Sequence, residues 1–259
     1  MAETGTALRR KFRIGNKAKV LLVSPTRDQF LEVYWAKRRV HDTPRSVLAL
    51  QLTAMSLPNF SFFTDAPRTH TLWNRQRLMH VWRELAEAGI AVIPHLNTLT
   101  NADGAFWEAL LLDNPTVTVV AKEFQTGATI EDLEWVARLQ DSLKRALHPL
   151  IIGGGRFVRA AARLFESSTL VDSQPFFRTV MRERLSIDPY RNGKIWTKFP
   201  TTKGALLDEL LEHNIRVYEQ WVLGEIELER PNETRQLSLR GSILAACRRQ
   251  LSNPRRRAA

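Results

Sequence analysis

Short apolar segments alternate with helical segments over the first two thirds of this chain of 259 residues. Each apolar segment is rich in valine, leucine or isoleucine, as in residues 19–24 and 90–94. Strands that are apolar throughout pair in parallel and are covered by helices on both faces. The sequence therefore predicts an α/β fold made of about six successive strand-then-helix units.

Prolines that start helices, together with glycine and proline breaks, give the expected boundaries. Predicted strands cover residues 19–24, 46–55, 90–94, 116–121, 150–152 and 169–172. Predicted helices cover residues 24–37, 65–88, 103–112, 129–147, 156–165, 206–222 and 239–251.

Right-handed crossovers allow such strands two arrangements, a barrel or a doubly wound open sheet. No glycine-rich dinucleotide fingerprint follows the first predicted strand. This favours a barrel-like (TIM-like) parallel sheet, complete or incomplete, and leaves the doubly wound open sheet as the alternative. A helical region is expected to follow the sheet toward the C-terminus.

The net charge of +11 is concentrated in parts of the chain, which indicates an anionic partner. We expect a basic N-terminal arm at residues 1–18, a βα-repeat domain at 19–173, and a helical basic region at 174–259. Nucleic acid is the partner that such a distribution favours most. The predicted nucleic-acid contacts are Arg9, Arg10, Lys11, Arg13, Arg182, Arg184, Arg191, Lys194, Lys198, Lys203, Arg255, Arg256 and Arg257.

Aromatic residues are interleaved with the cations of residues 176–203. Aromatic rings stack on bases while cations neutralise phosphates, so this composition suits nucleic-acid binding. The alternative is that the rings anchor the segment to the sheet and the cations face solvent.

Three glycines and an arginine, Gly153, Gly154, Gly155 and Arg156, stand between a predicted strand and a predicted helix. Glycines at this position let backbone N–H groups face an anion, and the helix dipole adds attraction. We therefore predict phosphate binding here, with a tight turn and close packing as the alternative. The Walker and dinucleotide spacings are both missing, so no cofactor is expected.

Polar residues at the carboxyl ends of the strands are the candidates for catalysis, because ligands of parallel α/β folds bind there. His95, Glu123 and Asp172 are the candidate catalytic residues, with the carboxylates as bases and His95 as the acid or orienting group. The histidines lack a zinc-binding spacing and Cys247 is the single cysteine, so we expect no metal and no disulfide-linked partner. The longest apolar stretches are too short to span a membrane, so we expect a cytoplasmic protein without a membrane partner.

Several short motifs appear in order between residues 20 and 155. They are Pro58-Asn59-Phe60-Ser61, Asp65-Ala66-Pro67, Leu72-Trp73-Asn74-Arg75 and Gly89-Ile90-Ala91-Val92-Ile93-Pro94. This half of the chain resembles a bacterial, archaeal and phage family catalogued as domain of unknown function 4417. It departs from the family pattern at Asn59, where an aspartate is expected, and at His95-Leu96-Asn97. The resemblance implies a role in mobile elements and carries no established activity.

Charge and resemblance together favour a DNA-binding protein of a plasmid or phage-like element that acts in replication or maintenance. The alternative is an enzyme that acts on a phosphorylated or nucleic-acid substrate at the carboxyl ends of the strands. A third possibility is a module whose basic segments bind an acidic protein. The sequence does not specify an oligomeric state.

Overall fold

The computed structural model describes residues 4–125, 127–202 and 204–230. The described chain forms two compact units. The first unit contains residues 4–122 and Leu139–His148, and the second contains Glu123–Arg138 and residues 149–230. The predicted helix at 239–251, Cys247, Lys203 and Arg255 to Arg257 lie outside the described residues.

The first unit is built on a three-stranded parallel sheet with the strand order β1-β2-β3. An isolated parallel bridge between His95 and Ala121 joins the end of β3 to β4. The elements are α1 (Gly5–Lys11), β1 (Leu21–Leu22), α2 (Asp28–Lys37), α3 (Thr43–Ala49), β2 (Ala54–Ser56), α4 (Arg68–Glu87), β3 (Val92–Ile93), α5 (Asn101–Asp113) and β4 (Val119–Glu123).

The chain continues with a second three-stranded sheet, in the order β4-β5-β6, and an antiparallel hairpin of β7 and β8. Helix α6, like β4 and β5, contains residues of both units. The remaining elements are α6 (Ile130–Leu143), β5 (His148–Ile152), α7 (Val158–Leu164), β6 (Thr169–Val171), α8 (Gln174–Val180), β7 (Glu183–Ile187), β8 (Lys194–Lys198) and α9 (Asp208–Glu229).

The predicted α/β class is confirmed, with parallel strands, flanking helices and a helical region on the C-terminal side. Strand β5 is buried along its whole length, as expected for a strand covered on both faces. Among the described residues the strands do not close into a barrel. No helix in the described ranges is long and apolar enough to cross a membrane.

The predicted strand at residues 46–55 is wrong for most of its length. Helix α3 occupies Thr43–Ala49, and β2 begins only at Ala54. Pro44 lies in the first turn of α3, where its fixed φ and missing N–H suit a helix start. The apolar residues that follow Pro44 suit a helix as well as a strand, so periodicity alone could not separate the two.

The hairpin of β7 and β8 lies in the region predicted to be helical, and the sequence did not predict it. Leu185 pairs with Trp196 across the hairpin, while Ser186 pairs with Ile195 on the opposite face. Asn192 and Gly193 lie in the connecting turn, where both residue types are favoured. Alternation with a period of two residues and this turn were the available signals for a hairpin.

The side chain of Asn214 on α9 joins three elements of the second unit. Its Oδ1 accepts a hydrogen bond of 2.8 Å from the N–H of Leu185 on β7. Its Nδ2 donates to the Glu183 carbonyl and to Thr179 Oγ1 on α8, both at 2.8 Å. Asn214 is completely buried, so its amide substitutes for a neighbouring strand along the free edge of β7.

Replacing Asn214 should destabilise the second unit. Asn214→Leu keeps the side-chain volume but leaves a buried N–H, a carbonyl and a hydroxyl without this partner. Each group that loses its partner should lower the free energy of unfolding by about 1–3 kcal/mol. We expect a loss of at least about 3 kcal/mol in the free energy of unfolding, measured by urea denaturation. Hydrogen exchange at the Leu185 amide should accelerate with it.

Glu219→Leu, at an exposed position of the same helix, is the matched control and should change stability by about 0.5 kcal/mol or less. Equal stability of the two variants would contradict the bridging role of Asn214.

Candidate functional site

Polar side chains of the first unit follow β2 and β3 at their carboxyl ends. Asn97 Nδ2 donates to Asn59 Oδ1 at 2.7 Å and to the Phe60 carbonyl at 3.0 Å. These two bonds fix the orientation of the Asn97 amide, so its Oδ1 faces Nδ1 of His95, 3.1 Å away. His95 therefore carries its proton on Nδ1, because an amide oxygen only accepts hydrogen bonds.

The imidazole of His95 is completely buried, and its Nε2 has no hydrogen-bond partner among the described residues. Burial lowers the pKa of His95 from 6.5 to about 3, against the opposing hydrogen bond with Asn97. The positive charge of Lys122 contributes to this lowering. His95 is thus a neutral imidazole whose Nε2 lone pair is unused.

Two further buried groups belong to this end of the sheet. Lys122, at the end of β4, donates to Thr98 Oγ1 at 3.2 Å and to the Leu96 carbonyl at 3.4 Å. Asp103, at the start of α5, binds both terminal nitrogens of Arg68, at 2.7 and 2.8 Å. These contacts fasten the segment between β3 and α5.

Asp103 also contacts Arg75, the last residue of the Leu72-Trp73-Asn74-Arg75 motif. Arg75 Nη1 lies 3.2 Å from the Asp103 carboxylate, and its guanidinium stacks 4.1 Å from the Phe106 ring centroid. Burial raises the pKa of Asp103, but hydrogen bonds from Arg68, Leu99 and Thr100 outweigh it and hold the pKa below its usual value. Arg75 therefore has a structural role.

The buried neutral histidine predicts a pH-dependent stability. The folded-state pKa of His95 lies below 6.5, so the unfolded chain binds a proton that the folded chain excludes. The contribution of His95 to the free energy of unfolding is fully present above about pH 6.5. As the pH decreases below this value, the free energy of unfolding falls by up to about 1.4 kcal/mol per pH unit. His95→Asn keeps a donor toward Asn97 and removes this dependence.

The stability cost of His95→Asn should therefore shrink by about 1 kcal/mol per unit between about pH 6 and pH 5, measured by urea denaturation. Burial also lowers the pKa of His148, to about 4, and this group stays unchanged in both proteins. Parallel pH profiles for the two proteins would contradict a neutral buried His95.

The other two predicted catalytic residues, Glu123 and Asp172, belong to the second unit, whereas His95 belongs to the first. Asp172 accepts a hydrogen bond of 2.5 Å from the hydroxyl of Tyr218 and one of 2.8 Å from the N–H of Gln174. Burial, followed by this bond, raises the pKa of Tyr218. Asp172 therefore anchors α9 to the start of α8.

Lys194 contributes to the same buried cluster. Its ammonium lies 3.8 Å from the ring centroid of Trp221 and 4.7 Å from that of Tyr218. Burial lowers the pKa of Lys194, while the charges of Asp172 and Glu225 raise it. These contacts engage the Lys194 ammonium within the fold, and nucleic-acid binding by Lys194 stays a prediction.

Close packing accounts for the three glycines after β5. A Cβ on Gly153 would lie 2.2 Å from Gln125 Cγ, and one on Gly154 would lie 2.3 Å from Ile151 Cγ2. A Cβ on Gly155 would lie 2.5 Å from the Tyr218 hydroxyl oxygen. These distances favour the tight-turn alternative, and phosphate binding here stays a prediction.

Arg156 is exposed beside this turn. It donates to the carbonyl of Ala128 at 2.5 Å and lies 4.7 Å from the ring centroid of Phe157. Helix α7, which follows, has seven residues and begins only at Val158. These contacts leave phosphate binding by Arg156 a prediction.

Three arginines in and next to the hairpin differ from the neighbouring cations in their ion pairing. Within the described ranges, Arg182, Arg184 and Arg191 have no carboxylate at ion-pair distance. By contrast, Lys198 lies 2.9 Å and Arg178 lies 2.7 Å from the carboxylate of Glu183. Residues 174–202 contain six lysines and arginines against two acidic residues, so the surface keeps a positive excess.

Large apolar side chains are exposed in the same stretch of the chain, residues 176–199. Phe176 and Phe177 on α8 are 53% and 58% exposed, and Met181 follows at the end of the helix. Phe199, which follows β8, is partly exposed, with the Arg184 guanidinium 5.5 Å from its ring centroid. Together with Arg182, Arg184 and Arg191, these residues define the hairpin surface.

A shallow groove of about 390 Å³ lies between the hairpin and α9. His213 Nε2 lies 3.0 Å from the Leu185 carbonyl and 3.2 Å from Arg184 Nε, so this ring nitrogen either donates to the carbonyl or accepts from Arg184. Positions 213, 217 and 220 lie on one face of α9, a spacing that is visible in the sequence. The groove is lined by Arg184, Leu185, Ser186, Ile187, Thr197, His213, Val217 and Gln220.

The N-terminal cations belong to the first unit. Arg9 to Lys11 form the last turn of α1, and Arg13 follows with a positive φ of 52°. Arg9 donates to the carbonyls of Gly15 and Ala18 at 2.8 and 3.0 Å, so it closes the loop after α1. Arg10 and Arg13 are exposed.

Comparison with known proteins finds no match: no family model, no curated protein and no solved structure matches the chain. The resemblance to the domain 4417 family therefore stays a prediction. Within the described residues, no cluster of three histidine, cysteine or acidic side chains is suited to hold a metal ion.

Proposed function

We propose that this chain binds nucleic acid through the hairpin surface of its second unit. The observation that carries the proposal is the combination of Arg182, Arg184 and Arg191, which have no carboxylate partner among the described residues, with exposed aromatic rings. Cations of this kind neutralise phosphates and release counterions. Exposed rings beside them add a stacking surface for bases.

The proposed natural partner is the DNA of a plasmid or phage-like element, in replication or maintenance. This part of the proposal rests on the domain 4417 resemblance and on the net charge of +11. The N-terminal cations Arg10 and Arg13 are candidate additional phosphate contacts. The parallel bridge between His95 and Ala121 puts β4 beside β3, which supports barrel-like sequential pairing, since the doubly wound order 3-2-1-4-5-6 puts the fourth strand beside the first.

An enzyme at the strand ends is the second candidate. The unused Nε2 lone pair of buried His95 favours it. Asp172 is held by Tyr218 and Gln174, which supports a structural role for that carboxylate. Binding at the hairpin surface is therefore the stronger proposal.

The proposal predicts salt-dependent binding that depends on the hairpin arginines. The full chain should bind a labelled oligonucleotide with a Kd of about 1 μM or tighter at low salt, measured by fluorescence anisotropy. In Arg182→Gln/Arg191→Gln, the slope of log K against log salt should decrease in magnitude by about 0.7–0.9 for each lost phosphate contact. Affinity at low salt should fall about tenfold or more.

Lys37→Gln/Arg45→Gln removes the same charge from exposed positions of the first unit and serves as the control. It should change the slope and the affinity much less. No binding by the unmodified chain at low salt would refute the proposal, and an equal loss in both double variants would refute its placement on the hairpin.

A further inference from the structure

The groove beside the hairpin surface contains features that a flat phosphate-binding surface does not need. Its volume of about 390 Å³ lies within the range of about 300–1,000 Å³ that is typical of small-molecule sites. Val217 and Ile187 supply apolar wall, and both are partly buried against the core of the unit. Such a wall suits a flat, uncharged ring better than it suits a phosphate.

Polar side chains also line the groove. Ser186 and Thr197 come from the two strands, and Gln220 comes from α9. All three are exposed side chains that both donate and accept hydrogen bonds, as the edge of a nucleobase requires. This set carries no formal charge, so the charge at the groove comes from Arg184.

Arg184 connects the groove to the proposed phosphate path. Its guanidinium has no carboxylate partner in the described part of the chain, and its Nε lies 3.2 Å from Nε2 of His213. The terminal nitrogens of Arg184 are therefore available to a phosphate that flanks a base in the groove. Phe199, whose ring centroid lies 5.5 Å from the same guanidinium, offers a stacking surface to a neighbouring base.

We infer that the groove between β7 and α9 holds one unpaired nucleobase, which makes the hairpin surface selective for single-stranded nucleic acid. The inference rests on the proposed function and adds the class of nucleic acid to it. In a duplex, the faces and pairing edges of the bases are covered by stacking and pairing, so an intact duplex presents only its phosphates to Arg184. An unpaired strand uses the groove, the ring of Phe199 and the arginines together.

The test compares an oligo(dT) strand of about 20 nucleotides with a duplex of equal length at one salt concentration, using the full chain. The single strand should bind about tenfold or more tightly than the duplex, since stacking of one base contributes about 1–3 kcal/mol. Ser186→Leu and, separately, Gln220→Leu fill the groove without changing charge. Each should weaken single-strand binding about tenfold and leave duplex binding unchanged.

Ser142→Leu makes the same substitution at an exposed position outside the groove and is the control. Hydrogen exchange at the Leu185 amide verifies that each variant keeps the packing of β7 on α9. An oligo(U) strand in parallel tests whether the groove accepts RNA as well as DNA, and binding of either strand with loss in Ser186→Leu supports the inference.

The outcomes separate the two proposals. If neither strand nor duplex binds at low salt, the proposed function fails and the groove inference fails with it. If duplex binds as tightly as single strand, or if Ser186→Leu and Gln220→Leu bind the single strand as well as Ser142→Leu does, the groove inference fails while nucleic-acid binding stands.

Discussion

The hydrogen bonds of Asn214 are the interaction on which the second unit depends. Strand β7 has β8 on one side only, and the amide of Asn214 pairs with the backbone on its other side. This pairing holds α9 along β7, and the space beside it is the groove with Arg184 at its border. Without a buried polar group at position 214, neither the edge of the hairpin nor the groove would be defined.

Charge pairing divides the cations of this unit into structural and exposed groups. Arg159 binds Glu225, and Lys198 binds Glu183, so these cations are paired within the fold. Arg182, Arg184 and Arg191 are balanced by no carboxylate in the described ranges. A positive excess of this kind raises self-repulsion unless an anion approaches, which is why the hairpin surface is the best-supported candidate for a binding site.

The sequence predicted the parts of the fold whose signals are local. Strands β4 and β5 and helix α6 follow from continuous apolar runs and helical spacing, whereas the apolar run after Pro44 fitted either helix or strand. Asn214 could not be recognised, because its partners Leu185 and Thr179 are 29 and 35 residues away. Charge segregation located the hairpin cations, but the ion pair with Glu183 distinguishes Lys198 from Arg184, and ion pairing is a property of the folded chain.

The most direct test of the hairpin surface is photo-crosslinking of the full chain to a labelled oligo(dT) strand, followed by mapping of the crosslinked peptides. Bases stacked on exposed rings should crosslink at Phe199 and at Phe176 or Phe177, and the crosslinks should disappear at high salt. Crosslinks confined to the segments around His95 would contradict binding at the hairpin and would instead favour a site at the strand ends.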